Sequence, residues 1–315
     1  MDFQSEWRNF LSVLSDAGHK KISVGIGVFD GVHRGHQMLL EQLTAHAVKN
    51  NSCSVALTFS PHPRTLVAPH NPPKLLMSAE RRQELLKSYG VNEVFVIRFD
   101  EKFSRLQAEE FLHILCENNP LEIDCITVGK NWRFGNGGSG NTELLARYCQ
   151  THNITFLPIE ELKINGEKIS SANIRQAVAN GFIEQANAML GRDFELVGKV
   201  VKGFSFAGSK LEHPTANLIP DSEIMPPDGV YGAEVILNDV KYRAAVNIGV
   251  APSFDFNRKQ HRIEVHLLDF EGNLYGCDLR VKPVKYLRNE RFFESADALK
   301  AQIIKDIQQI KSLIK

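Results

Sequence analysis

From Lys21 to about Ile169, short apolar runs alternate with amphipathic stretches, and strands buried on both faces read as near-continuous hydrophobic segments of this kind. Strands are predicted over 22–28, 54–59, 93–97 and 125–128, each followed by a crossover. Helices are predicted over 39–48, from the Ser78 cap through Leu86, and over 108–115. Ser171 stands ready to cap a helix that runs to Asn180 and stops at Gly181, and a second helix reaches Leu190 ahead of Gly191. Beyond that point the pattern changes to short β-rich runs over 194–201, 230–237, 242–248, 262–268 and 279–284, punctuated by Gly, Pro, Asn and Asp. An antiparallel barrel or sandwich follows from that spacing. The chain ends on an amphipathic helix behind Ser295, with Leu299, Ile303, Ile307, Ile310 and Ile314 three or four apart. The expected organisation is an α/β domain with a doubly wound parallel sheet over 1–186 and a β-barrel with a terminal helix over 187–315.

Composition narrows the partners. Of 315 residues, 37 are basic and 37 acidic, which lacks the positive excess that phosphate contacts leave on a nucleic-acid binder. No run approaches 18 apolar residues, and the first 21 residues alternate charged with apolar positions, so neither a membrane span nor a secretion signal is read there. The five cysteines are scattered without a CxxC pair, the usage of reduced thiols in a cytoplasmic protein.

The chemistry concentrates in Gly27-Val-Phe29-Asp30-Gly31-Val-His33-Arg-Gly35-His36, which leaves the first strand and opens the first helix. Backbone N–H groups and the helix dipole favour phosphate there, and glycines let the chain approach a nucleotide closely. Two histidines three apart share a helix face. Taken alone, the pair reads equally well as surface polar groups beside a turn. A second motif, Ile169-Ser170-Ser171-Ala-Asn-Ile-Arg175, puts a hydroxyl pair at a helix start and an Arg one turn in. It is expected at the opposite end of the same sheet, and Ser171 serves capping and phosphate binding together.

With these two motifs the chain resembles the bacterial bifunctional riboflavin kinase/FMN adenylyltransferases. Gly27 to His36 matches that family's Gly-x-Phe-Asp-Gly-x-His-x-Gly-His without a gap, and Phe59-Ser-Pro61-His-Pro63, Phe99-Asp100 and Arg133-Phe134-Gly135 follow in order. In the second half Pro214-Thr215-Ala216-Asn217, Gly229-Val-Tyr-Gly232, Asn247-Ile-Gly249, Glu264 and Leu287-Arg288 are similar to the kinase segments. The resemblance implies that ATP and FMN become FAD and pyrophosphate in the first domain, after riboflavin has become FMN in the second. It assigns ATP to Gly27, Phe29, Asp30, Gly31, Gly35, Ser170, Ser171 and Lys210, and flavin to Phe59, Pro61, Pro63, Arg133 and Arg288. It assigns catalysis to His33, His36, Arg175 and Glu264, and the Mg²⁺ that accompanies ATP to Thr215 and Asn217. Asp30 is open to two readings, a metal contact or a turn Asp bonded to nearby N–H groups. Glu264 has two as well, the general base or a solvent-facing strand residue.

Several positions depart from the pattern. Lys130-Asn131-Trp132, Gly138 and Ala172 differ in the first half, and Ser209, Glu212 and Ala251 differ in the second. Glu212 adds an anion, and Ser209 removes a cation, where a triphosphate is expected. A weakened kinase is therefore expected. The alternative is an FMN adenylyltransferase whose barrel is a non-catalytic flavin-sensing or oligomerising module. The expected partners are riboflavin, FMN, FAD and ATP, without nucleic acid or membrane, on a monomer or weak homo-oligomer.

Overall fold

The structure, a computed structural model, describes residues 2–201, 216–250 and 261–314. The chain divides into two compact units, Met1–Ser171 and Ala172–Lys315.

The first unit opens with helix α1 (Phe3–Asp16), which the charge alternation at the N-terminus conceals. Asp2 accepts the Ser5 N–H at 3.0 Å as its cap, and Phe3, Trp7, Leu11 and Leu14, spaced four, four and three, form the buried stripe. Then come β1 (Lys21–Ile26), α2 (Arg34–Asn50), β2 (Cys53–Ser60), α3 (Pro63–Val67), α4 (Ala79–Ser88), β3 (Glu93–Arg98), α5 (Glu101–Ser104) and α6 (Ala108–Cys116). β4 (Glu122–Gly129), α7 (Thr142–Thr151) and β5 (Thr155–Ile159) complete the sheet, and a small hairpin of β6 (Lys163–Ile164) and β7 (Glu167–Lys168) follows. All five sheet strands are parallel in the order β3-β2-β1-β4-β5. The order reverses direction between β1 and β4, the switch point at which such sheets open a crevice beyond their strand ends.

The core beneath that edge is aromatic. Trp7 stacks on Phe10 and meets Phe95 edge-on at 5.0 Å, while its indole N–H donates to the Leu115 carbonyl at 3.0 Å. Burial of each such side chain is worth about 1.5–3 kcal/mol, and the indole bond leaves no buried donor unsatisfied there. Cys53, Cys125 and Cys149 are buried thiols, pushed up by desolvation to about 11, 12 and 12. They stay protonated at neutral pH.

The second unit contains most of α8 (Ser171–Ala179), then α9 (Ile183–Leu190), which ends on Gly191 in the left-handed conformation. Strands β8 (Leu196–Val201), β9 (Ala216–Pro220), β10 (Gly229–Leu237), β11 (Val240–Val250), β12 (His261–Leu267) and β13 (Asp278–Arg288) close an antiparallel barrel in the order β10-β11-β12-β9-β8-β13. The strand β9 falls where the sequence reads a Pro-Thr-Ala-Asn turn. Its Ala216 and Leu218 are buried while Asn217 and Ile219 are not, the period of two that a turn lacks. Asn238 and Asp239, at φ 48° and 63°, make the two-residue hairpin turn between β10 and β11. Helix α10 (Ala296–Leu313) is capped by Ser295, whose hydroxyl accepts the Ala298 N–H, and it buries Asp306, Ile310 and Ile314 rather than the whole predicted seam. Among the described residues no helix is long and apolar enough to cross a membrane.

Candidate active sites

The loop from β1 to α2 carries the first motif. Gly31 adopts φ 81°, and Phe29 and Val32 also take positive φ, 54° and 38°. For a β-branched residue such as Val32 that backbone is strained, and strain of this kind persists where surrounding bonds fix it. The Thr58 hydroxyl donates to the Val28 carbonyl at 3.0 Å and the Gln37 amide to the Val32 carbonyl at 2.8 Å. His33 caps α2, its Nδ1 accepting the His36 N–H at 3.3 Å. The two imidazoles stack at 3.6 Å between centroids, inclined by 14°, and the Phe29 ring meets His36 edge-on at 5.2 Å. Phe29 is fully buried, so its side chain supports His36 and only its backbone is left to a nucleotide. A Cβ on Gly35 would stand 3.3 Å from the His33 ring, a tight fit against the stacked pair.

Asp30 is 1% exposed, and its carboxylate accepts the Leu76 N–H at 3.1 Å and lies in the field of the buried Arg82 guanidinium. Leu76 lies 46 positions along the chain, so this carboxylate ties the β1–α2 loop to the segment ahead of α4 rather than bonding an N–H of its own turn. The second motif is also placed differently from its expectation: the Ser171 hydroxyl donates to the Asp30 carbonyl at 2.8 Å, which sets it beside the first motif rather than at the far end of the sheet. Ser170 precedes it, and Arg175 lies half-buried one turn along α8.

The expected flavin segment leaves β2. The Phe59 ring is 7% exposed and packs edge-on against Phe99 at 5.9 Å, so it forms floor rather than open face. Pro61 is exposed, and Pro63 opens α3 behind the His62 cap. Arg133 is exposed on the loop after β4, between Trp132 and Phe134, whose rings stack at 4.6 Å. Gly135 holds that loop against the start of α6; at φ 73°, a Cβ would sit 2.7 Å from the Ala108 backbone. The departing Lys130 and Asn131 are bonded to Glu160 and Glu161 at 2.8 and 2.6 Å.

In the barrel the register, not a loop, assembles the polar set. Asn217 of β9, Glu264 of β12 and Asn247 of β11 are direct cross-strand partners, so they form one row on one face, while Ile263 and Val265 turn to the core. The Asn247 amide donates to Glu290 at 2.7 Å, and its Oδ1 is buried without a partner among the described residues. The amide and carboxylate oxygens of Asn217 and Glu264 are hard donors, chemistry that fits a divalent cation carried by a nucleotide. A cavity of about 770 Å³ lies beside Ala216, with His266, Phe270, Tyr275 and Lys311 among its walls. Arg288 is tied to α10: its Nη2 and Nε donate to the buried Asp306 carboxylate at 2.8 and 3.1 Å. This pair joins the end of β13 to α10. Lys210, Thr215, Ser209, Glu212 and Ala251 lie outside the described residues. Sequence reasoning passed over Arg82, whose only signal is its place on the same helical face as Leu85 and Leu86.

Comparison with known proteins draws both sites together. The FAD synthetase family matches residues 15–173, and the riboflavin kinase family matches residues 190–314. A bifunctional riboflavin kinase/FMN adenylyltransferase of Buchnera aphidicola (subsp. Schizaphis graminum) is 38% identical, covering 92% of this chain and 93% of its own. The protein of that description in Escherichia coli K12 is 35% identical over 93% of each. A solved chain from Streptococcus pneumoniae, described as a macrolide-efflux protein, superposes with a TM-score of 0.80 at 29% identity, covering 93% of this chain and 94% of its own. Families of these two kinds use ATP, generally with a divalent metal. With both halves matched, in order and nearly end to end, the chain belongs to the bifunctional riboflavin kinase/FMN adenylyltransferases, transferases that convert riboflavin to FMN and FMN to FAD.

Proposed function

We propose that adenylyl transfer occurs at the C-terminal edge of the parallel sheet in a single step. An FMN phosphate oxygen attacks the α-phosphorus of ATP; the new P–O bond forms as the bond to the bridging oxygen of the β-phosphate breaks, and pyrophosphate leaves with the electron pair. No covalent enzyme intermediate is needed, so catalysis is alignment plus charge stabilisation. His33 and His36 donate to the triphosphate as charge develops. The backbone of Gly27, Phe29, Gly31 and Gly35 lines the nucleotide, Asp30 stiffens the loop, and Ser170, Ser171 and Arg175 contact the β and γ phosphates. Pro61, Pro63 and Arg133 border the flavin over a floor that includes Phe59. A divalent cation bound with ATP, taken to be Mg²⁺, would supply charge neutralisation for the pyrophosphate group. The observation that carries this reading is the stacked His33–His36 pair at the start of α2, beside the switch point of the sheet.

In the barrel, Glu264 takes the proton of the riboflavin 5′-hydroxyl as its oxygen attacks the γ-phosphorus and ADP leaves. Asn217, with Thr215, would hold the cation of the nucleotide, and the family resemblance gives Lys210 to its phosphates. The substitutions at Ser209 and Glu212 favour a slow kinase. We place the functional boundary at 186/187, between the spans matched by the two families, and assign the chain to the cytoplasm as a monomer or weak homo-oligomer. Incubating the purified protein with Mg-ATP and either riboflavin or FMN, and separating the flavins by chromatography, tests the scheme. FMN is expected to give FAD readily and riboflavin to give FMN more slowly; absence of FAD from FMN overturns the first site, and absence of FMN from riboflavin overturns the second.

A further inference from the structure

Arg82 is the residue the reaction scheme leaves unused. It is 3% exposed, on the face of α4 that also buries Leu85 and Leu86, a position where a guanidinium is rare unless something holds it there. Its Nη2 donates to the carbonyl of Phe59 at 2.8 Å, at the point where β2 gives way to Ser60-Pro61-His62-Pro63. Its charge also faces Asp30, which is buried as well and belongs to the loop leaving β1. The Asp30 carboxylate bonds the Leu76 N–H, two residues ahead of Ser78, the cap of the helix that carries Arg82. The path from Asp30 through Leu76, α4 and Arg82 to Phe59 thus forms a closed ring. It joins the ends of two adjacent parallel strands, β1 and β2. Nε of Arg82 is a buried donor without a partner among the described residues. A fold seeking stability alone would satisfy that donor or replace the cation, since a well-packed apolar residue in place of a buried ion pair is often neutral or stabilising. Burial lowers the guanidinium pKa and Asp30 opposes that shift, which agrees with a charge held by its partner.

We propose that Arg82 is a positioning residue for FMN adenylylation, a buried cation that couples the nucleotide loop at Asp30 to the flavin segment at Phe59, so that occupancy of one substrate site sets the geometry of the other. The proposal rests on the assignment of those two loops to ATP and FMN given above. Coupling of this kind is reciprocal and is read as a ratio of affinities.

The experiment measures FMN affinity of the full chain with and without α,β-methylene ATP, alongside kcat and both KM values for FAD formation. Wild type is expected to bind FMN about five-fold or more tightly with the analogue present, the lower end of ordinary coupling. In Arg82→Met the ratio should fall to about one and the KM for FMN should rise about ten-fold, while the circular-dichroism spectrum and a cooperative melt of the first unit report that it is folded. Arg82→Lys should restore part of the ratio, because it returns the charge that faces Asp30 without the planar guanidinium that donates to the Phe59 carbonyl. A residue that only stabilised the fold would lower the melting midpoint and kcat together and leave the ratio unchanged. If Arg82→Met does not fold, Arg82→Lys and the neutral pair Asp30→Asn/Arg82→Met provide the same ratio. A wild-type ratio in any folded variant lacking the Arg82 cation, or a wild-type protein whose FMN affinity ignores the analogue, overturns the proposal. His36→Ala separates the two levels: undiminished FAD formation there removes the site assignment itself, independently of Arg82.

Discussion

The two units assemble polar chemistry in opposite ways. In the parallel sheet, β1 ends and within ten residues the chain has made a strained turn, capped a helix and stacked His33 on His36. The barrel draws its row from three strands, Asn217, Glu264 and Asn247, with no two of them neighbours in the chain. One site is made by a loop, the other by register. Parallel strands present their ends to a common edge, so a contiguous segment suffices. An antiparallel barrel presents strand faces, so residues meet only if each strand pairs in step, and a slip of one residue turns a side chain to the other face. The first site should therefore respond to single side chains inside a rigid loop, and the second to anything that disturbs pairing.

The largest expected effect separates the sites cleanly. Glu264→Gln keeps size and register but removes the base, so riboflavin phosphorylation should fall about 10²- to 10⁴-fold while FAD formation from supplied FMN is unchanged. Equal losses in both reactions would mean that the two sites are not independent. Next is His36→Ala, which should lower FAD formation about ten-fold to a thousand-fold, as when one charge-stabilising donor is lost, and leave the kinase untouched. Glu212→Gly should act in the other direction. An anion within about 4 Å of a phosphate costs roughly 1 to 4 kcal/mol from bulk water to an effective dielectric near 20. Kinase turnover should therefore rise by at least about five-fold. An unchanged measurable rate would show that Glu212 points away from the nucleotide.

The same contrast explains what the sequence makes legible. Local devices were readable: Ser78 and Ser295 cap their helices, Gly191 ends one, and the motif from Gly27 to His36 stands at a strand-to-helix turn. Helix α1 is masked by the charged residues interleaved along it, although Phe3, Trp7, Leu11 and Leu14 have helical spacing. The strand β9 is five residues long, and Asn217 and Pro220 give it turn composition; only pairing with β8 and β12 makes it a strand. Nothing local announces that Arg288 meets Asp306, eighteen positions on and buried. Arg82 is the inverse case. An Arg in an amphipathic helix reads as solvated, and its partners Phe59 and Asp30 lie on other elements.

The smallest expected effect concerns how the first unit holds its α6–α7 side. The Tyr148 hydroxyl donates to Glu117 at 2.8 Å, and this bond, followed by that of His113, holds the Glu117 carboxyl below its usual 4.5. Burial raises the Tyr148 phenol, so it remains a neutral donor across the acidic range. A carboxyl depressed in the folded state contributes stability that is fully present above about 4.5 and is lost as pH falls through its lower folded value. Because Glu117 is solvent-exposed, the contribution is a fraction of what a buried pair would give. Tyr148→Phe should lower the melting midpoint slightly at pH 7, and the gap to wild type should narrow as pH falls below 4.5 and Glu117 takes up its proton. A part of the gap that persists once Glu117 is protonated belongs to the longer bond from the same hydroxyl to the Leu112 carbonyl, 3.3 Å. A gap that stays constant as Glu117 is protonated would assign the whole effect to that bond and to packing, and would remove Glu117 from the account.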